Sequence, residues 1–208
     1  MGRLGLISLY IMCVGCILSC SKQTDVPNLV TEMCDVSINS SGIATKAVLD
    51  NGVVLDIASQ GLTSNVSDTT VRSVLTYAWV DGVPCVYDNI PAICMRPASA
   101  ESFETCPHDP VKLVSVWQMG RYINLVIGEM TTGNGTHEYA FCMDSLKDGV
   151  LYTSFLHRQP ATDAGSFTQK RYASMPVCGN GVEAYDSVCL SICTYDGVRK
   201  FVCASAAF

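Results

Sequence analysis

From Gly42 onward, apolar residues come in short runs rich in Val, Ile, Tyr and Thr, each soon ended by a turn-forming pair. Asn-Gly or Asp-Gly occurs six times, as Asn51-Gly52, Asp81-Gly82, Asn134-Gly135, Asp148-Gly149, Asn180-Gly181 and Asp196-Gly197. Such pairs tolerate positive φ, the backbone state that a two-residue hairpin turn requires, so each marks a place where the chain can double back. No segment carries apolar residues at i, i+3, i+4 and i+7 over helical length. Short strands separated by frequent turns predict an all-β protein.

The pattern predicts strands near 43–50, 52–58, 71–80, 83–88 and 90–96. A second group follows near 111–118, 121–130, 136–144, 149–157, 167–177, 187–195 and 198–204. Between them, Pro97 to Pro110 holds three prolines and no alternation, which makes it the expected domain boundary. The grouping predicts a small barrel over 41–100 and an antiparallel β-sandwich over 108–208. Registers follow from the turns. With Asp196-Gly197 as the turn, Ile192 faces Phe201 and Leu190 faces Cys203, making Cys203 a core residue, while Cys189, Ser191, Cys193 and Lys200 share the other face. With Met119-Gly120 as the turn, Val114 and Val116 face Leu125 and Ile123, and Trp117 pairs with Tyr122. If Asp88 to Pro91 is a four-residue loop, Cys85 faces Cys94 within reach of a disulfide, with two reduced packing residues the favoured state.

The N-terminus changes the setting. One cation, Arg3, precedes the apolar run Leu4 to Cys20, which is shorter than the roughly 20 residues a spanning helix needs. A charged start, an apolar stretch and a small residue before the cleavage point form an export signal, here residues 1–19. The aliphatic Ile17 stands three residues before Cys20, with Leu18 and the small Ser19 between them, the layout of a lipobox with Cys20 as the lipidated residue. Cys16 is a rival, and an ordinary secretory signal is the alternative. Residues 20–40 read as a polar tether. The expectation is a lipid-anchored protein of the outer membrane, facing the periplasm or the cell surface, held by lipid rather than threaded through the bilayer.

Composition narrows the partners. Net charge is −6, and charged residues make up 15% against 49% hydrophobic, a mixture that buries a core but offers nucleic acid no cationic groove. Of twelve cysteines, nine lie beyond Cys20: Cys34, Cys85, Cys94, Cys106, Cys142, Cys178, Cys189, Cys193 and Cys203. An exported chain permits disulfides, yet an odd number leaves at least one thiol unpaired in a monomer.

Motifs for chemistry are sparse. His108, His137 and His157 show no close metal-ligand spacing, although His137 and His157 can approach as neighbours on adjacent strands. Cys189 and Cys193, four apart on a strand, stand roughly 13 Å apart and cannot grip one zinc. There is no G-x-S-x-G elbow and no phosphate loop, and Asp50, Asp81, Asp148 and Asp196 already have turn-forming roles. No catalytic, cofactor or metal residue is assigned. Tyr77 and Trp79 are candidates for stacking on a sugar or peptide, with strand packing as the alternative.

Ser115 to Met130 (SVWQMGRYINLVIGEM, with the step Tyr122-Ile123-Asn124), His137-Glu138-Tyr139 and Thr153 to Arg158 together resemble the C-terminal domain of NigD-like lipoproteins. Lys46 to Gly52, continuing to Trp79, is similar to that family's N-terminal module. The resemblance implies an OB-like five-stranded barrel followed by a β-sandwich, on lipoproteins of Gram-negative gut anaerobes, with no established catalytic residues to carry over. The expected function is a non-catalytic envelope module that binds or scaffolds a protein or glycan. The alternatives are a thiol-dependent or glycan-cleaving enzyme, and a bacteriocin-related immunity or binding protein.

Overall fold

Strands form where the alternation places them. The structure, a computed structural model, describes residues 27–103, 107–177 and 185–204. The export signal, Cys20, Cys106, Cys178 and the Asn180-Gly181 pair lie outside the described residues. The strands are β1 (Val30–Ile38), β2 (Ala44–Leu49), β3 (Val54–Asp56), β4 (Thr69–Val80), β5 (Val83–Pro91), β6 (Ile93–Cys94), β7 (Ala98–Ser99), β8 (Lys112–Met119), β9 (Tyr122–Thr131), β10 (Glu138–Lys147), β11 (Val150–Arg158), β12 (Phe167–Pro176), β13 (Ser187–Thr194) and β14 (Gly197–Ala204). The protein is all-β, as the alternation predicts.

The first five strands form one curled antiparallel sheet in the order β3-β2-β1-β4-β5. Its inner face buries Cys34, Val36, Ala47, Leu49, Leu55, Ile57, Leu75 and Tyr77. The curl is an OB-like half-barrel whose outer strands, β3 and β5, do not pair with each other. A short 3-10 turn, Ala58–Gln60, fills the seam: Gln60 Oε1 accepts the β5 backbone N–H of Val86 at 3.2 Å. The remaining strands build a sandwich of two sheets, β6-β12-β9-β8 and β14-β13-β11-β10-β7. Between them lie Ile123, Leu125, Ile127, Phe141, Phe155, Met175, Leu190 and Ile192, all buried. Alternate residues of each strand point inward, which is why one face of β9 reads as a column of branched aliphatics.

Two Asp-Gly pairs make the predicted two-residue turns. Asp81 and Gly82 (φ 51° and 78°) join Val80 to Val83, and Asp148 and Gly149 (φ 52° and 73°) join Lys147 to Val150. Both central residues are left-handed, the signature of the hairpin turn that matches strand twist. Two other registers differ from expectation. In β13–β14 the turn is Tyr195-Asp196, so Leu190 faces Phe201 and Val188 faces Cys203. Thr194 sets this turn, its Oγ1 accepting the Asp196 N–H and donating to the Gly197 carbonyl. The shift is two residues, so the faces are kept, and Cys203 still packs against the core. In β8–β9 the turn is Gly120-Arg121, Trp117 pairs with Asn124 rather than Tyr122, and a bulge at Val114 exposes that residue. Gly120 is required there: a Cβ would meet the Asp50 carbonyl at 2.8 Å.

Three further expectations are corrected. Residues 30–38, read as part of the 20–40 tether, form β1, the central strand of the first sheet. The stretch Pro97 to Pro110 is no plain linker, because β7 pairs with β10 and β6 with β12, so the first domain does not run on to residue 100. Asp88 to Pro91 is strand rather than loop. Cys85 therefore faces Ala78 on β4 while Cys94 faces Ser174 on β12, and both are free thiols rather than a disulfide.

The half-barrel and sandwich are locked by Arg72 on β4, whose guanidinium is almost fully buried. It pairs with Asp50 at 2.6 Å and more loosely with Asp35 at 3.4 Å, and it also donates to Asn124 and Ser174 on the sandwich, both at 3.0 Å. Its Cζ lies over the Tyr122 ring, 3.8 Å from the ring centre. Asn124 donates to Asp50, and Tyr122 donates to Asp35. Removing one partner of a buried pair strands the other charge, so Arg72→Met should cost about 3–5 kcal/mol in urea unfolding, while Arg121→Met, at an exposed pair with Asp35, should cost under about 1 kcal/mol.

Burial, with Asp35 close by, pushes the Tyr122 phenol up to about 12, and burial with the bond to Glu32 does the same for Tyr77. In the unfolded chain both ionise near pH 10. Folding therefore holds protons that the unfolded chain releases, and the contribution is complete below about pH 10 and lost between about pH 10 and 12. Unfolding titrations across that range should show stability falling with pH, with a shallower fall in Tyr122→Phe.

Candidate functional site

The inner face of β9 runs Ile123, Leu125, Ile127 and then Glu129 and Thr131, so the same alternation that builds the core carries a carboxylate into it. At this end of the sandwich the interior is polar. Tyr139 on β10 and His157 on β11 face each other across the strands, and His137 lies just before β10. The loop after β11 folds back through an Asp163–Pro160 backbone bond and brings in Asp163. Glu129, His157 and Asp163 are buried, and His137 is at the margin of burial.

Each group is held by named partners. Glu129 takes a 2.8 Å bond from Arg171 Nε on one oxygen and the Tyr139 hydroxyl on the other. Asp163 accepts from Thr131 Oγ1, from the Thr132 backbone at 2.6 Å and hydroxyl at 2.8 Å, and from the Gly165 backbone at 3.1 Å. Burial alone would raise the Asp163 carboxyl, but bonds from Thr131, His137 and Thr132 outweigh it and hold it well below the usual carboxylate range. Burial pushes the His157 imidazole down, against the opposing bond to the Asp109 carbonyl. Burial and the bond to Glu129 push the Tyr139 phenol up, so it stays a donor.

The two imidazoles meet edge to edge and nearly coplanar, with centroids 5.1 Å apart and planes within 11°. His137 Nδ1 is 2.8 Å from His157 Nε2 and 3.6 Å from Glu129 Oε2. His137 Nε2 is 3.1 Å from Asp163, and His157 Nδ1 is 3.1 Å from the Asp109 carbonyl. Among the described residues, Glu129, His137 and His157 form a group of donor atoms all within 4.8 Å of one another.

A second region lies on the surface. Trp79 and Tyr87, 55% and 54% exposed, stand with Val80, Val83 and Ile90 along the β4–β5 hairpin. Trp79 is steadied edge-on by Tyr77, at 6.3 Å and 79°. Strand β5 pairs with β4 on one side and is the edge of its sheet on the other.

Of the residues singled out in the sequence, His137 and His157 meet, while His108 only bridges to His157 through its backbone. Trp79 is exposed and Tyr77 is buried, its hydroxyl donating to Glu32 at 2.9 Å. Cys189 and Cys193 sit along β13, opposite Val202 and Val198. Glu129, Asp163 and the Arg72 cluster were not anticipated. Glu129 carried a legible signal, a charge in the core phase of an aliphatic strand, whereas Asp163 is placed by a loop with no periodicity.

No family model matches the sequence, and no curated protein matches it. The solved structures include three with the same fold. A NigD-like immunity protein from Bacteroides caccae is 19% identical with a TM-score of 0.69, over 86% of this chain and 98% of that one. A candidate lipoprotein from Bacteroides fragilis is 10% identical with a TM-score of 0.59, over 85% and 96%. A candidate toxin-related protein from Parabacteroides distasonis is 14% identical with a TM-score of 0.63, over 85% and 92%. The chain shares the fold of a NigD-like protein, as the sequence resemblance implies.

Thiol labelling separates the surface from the core. Burial pushes the Cys34 thiol up to about 12, despite the pull of Arg72. In the native protein at pH 8, iodoacetamide should label Cys94 and Cys85 without prior reduction and leave Cys34 unlabelled until the chain is unfolded, as read by peptide mass spectrometry.

Proposed function

We propose that this protein is a lipid-anchored, non-catalytic module of the cell envelope that binds an extended segment of another envelope protein along β5. The observation that carries the reading is the set of exposed residues Trp79, Val80, Val83, Tyr87 and Ile90 on the β4–β5 hairpin, beside a sheet edge with no strand partner, where Gln60 takes the Val86 N–H. An open edge offers backbone donors and acceptors to an added strand, and flanking aromatics supply the buried anchor that fixes register.

The lipobox at Cys20 and the B. fragilis neighbour support an envelope location, and the outer membrane is the proposed site. Cys34, Cys94 and Cys203 are all shifted upward by burial, the opposite of what a nucleophilic thiol needs, which favours binding over thiol catalysis. The immunity and toxin-related designations of two neighbours make a toxin polypeptide the first ligand to try.

The test is to immobilise residues 21–208, expose them to solubilised envelope and identify retained polypeptides. Trp79→Ala combined with Tyr87→Ala should weaken retention by about thirtyfold, the equivalent of about 2 kcal/mol, without changing the far-UV spectrum. Equal retention by the double variant removes this face from the reading, and turnover of an envelope polymer by the purified protein removes the non-catalytic role.

A further inference from the structure

The polar end of the sandwich holds an arrangement that a hydrogen-bond count leaves incomplete. His157 Nδ1 faces the Asp109 backbone carbonyl, which only accepts, so that nitrogen carries a proton. His137 Nε2 faces an oxygen of Asp163, whose carboxyl group accepts from Thr131, Thr132 and Gly165, so that nitrogen is the donor and carries a proton too. In two neutral imidazoles the remaining nitrogens, His137 Nδ1 and His157 Nε2, are lone pairs. They point at each other across 2.8 Å, with the Glu129 carboxylate on the same side. Two lone pairs and a carboxylate repel unless a cation lies among them. A proton between the two nitrogens satisfies that pair alone; Glu129, bonded by Arg171 and Tyr139 and 3.6 Å from His137 Nδ1, adds a third donor that only a larger cation can share. A metal ion satisfies all three.

We propose that Glu129, His137 and His157 bind one divalent transition-metal ion, with zinc the best fit. Zinc takes imidazole nitrogen at about 2.0–2.1 Å and carboxylate oxygen at about 2.0–2.2 Å, which spaces tetrahedral donors roughly 3.3 Å apart. The separations of 2.8 and 3.6 Å bracket that figure, and because the two lone pairs lie along the line between the nitrogens, each ring must swing by roughly 35° to aim at a shared tetrahedral ion. The outer contacts have the form that ligating histidines use. Each ring gives its other N–H to a carboxylate or a backbone carbonyl, which fixes the tautomer and aims the lone pair inward. Asp163 is itself fixed by two threonines and two backbone amides before any ion arrives. Arg171 and Tyr139 do the same for Glu129, and a carboxylate oxygen that accepts from Tyr139 keeps a second lone pair for the ion. Three protein ligands leave a fourth position, which falls to water. The sheets bring these groups together from β9, the approach to β10, and β11, so the ion would tie both layers of the sandwich at its polar end.

The experiment uses the full chain, purified in detergent, stripped with a chelator and returned to zinc or cobalt(II). One equivalent of zinc should be retained on desalting and should raise the melting temperature. Cobalt(II) should show the visible absorption of a tetrahedral site without the near-ultraviolet thiolate band that cysteine ligation gives. His137→Asn, chosen because His137 lies at the margin of burial, should abolish both signals while keeping the far-UV spectrum. Asp163→Asn, which changes the group behind His137 and none of the three ligands, should weaken zinc by about tenfold to a hundredfold. His108→Gln, outside the donor group, should bind as the parent does. Failure of the parent to hold or be stabilised by stoichiometric zinc overturns the proposal and assigns the cation to a proton. So does a thiolate band, or undiminished binding in His137→Asn, either of which places the metal elsewhere.

Discussion

The buried guanidinium of Arg72 is the constraint on which the arrangement of the two halves depends. It projects from β4 of the half-barrel toward Asn124 and Ser174 of the sandwich, with Asp50 and Asp35 closing around it from the end of β2 and from β1. A charge taken out of water at this depth is tolerated only when it is paired and hydrogen-bonded. The two halves are therefore not free to slide: any shift that separates Asn124 or Ser174 from Arg72 leaves buried polar atoms unmatched. An apolar seam of the same area would tolerate several packings, because dispersion contacts have little direction.

The same logic accounts for how each half manages its edges. The half-barrel leaves β3 and β5 unpaired to one another and bridges the gap with the side chain of Gln60, so the curl is held without full closure. On the sandwich, the edge strands β8 and β14 are tied by the Gln118 side chain, which donates to the Ala204 carbonyl at 2.8 Å, and a bridge between Val111, just before β8, and Thr194, at the end of β13, joins the two sheets. Apart from the Val86 N–H taken by Gln60, the outer side of β5 has no strand partner. Its exposed aromatic and aliphatic side chains cost solubility in a free protein, and natural edges are commonly blunted by charge or by cover. A long apolar edge left open is the part of this fold that stability alone does not explain.

Most strands were legible because alternation is a local property and each strand has one aliphatic face. β1 was not, and the reason is physical. One of its faces packs into the half-barrel through Cys34, Val36 and Ile38, while the other presents Asp35 to Arg72 and Arg121 instead of to water. A strand whose outer face is a charged interface shows no clean period, and its polar residues read as tether. The two misplaced turns have a similar origin. Gly120 is spent where the backbone passes close to Asp50, and Thr194 fixes its own turn through its hydroxyl, so contacts beyond the dipeptide chose the register. The Cys85–Cys94 pairing failed because β5 continues through Pro91 at an edge, a position that tolerates proline, and then crosses to the other half. Of the polar end of the sandwich, the approach of His137 to His157 and the phase of Glu129 could be read from strand order. Asp163 could not, since a loop carries no phase.

The two buried polar clusters differ in a way that separates architecture from chemistry. Arg72 has five N–H donors, and each has an acceptor: Asp35 and Asp50 on one terminal nitrogen, Asp50 and Asn124 on the other, Ser174 on Nε. That cluster is complete with the atoms of the chain, and nothing need be added to it. At the other end, Asp109 and Asp163 orient two imidazoles so that their free lone pairs converge beside Glu129, and among the described residues no donor points into the gap between them. A fold that needed only a satisfied polar plug there could have turned either ring about, giving one nitrogen to its neighbour as a donor. Instead the strongest acceptors are placed on the far side of both rings, where they hold the lone pairs facing inward. Hydrogen bonding that is over-determined on the outside and deficient at the centre is the arrangement of a site that receives a cation, not of one that merely fills space.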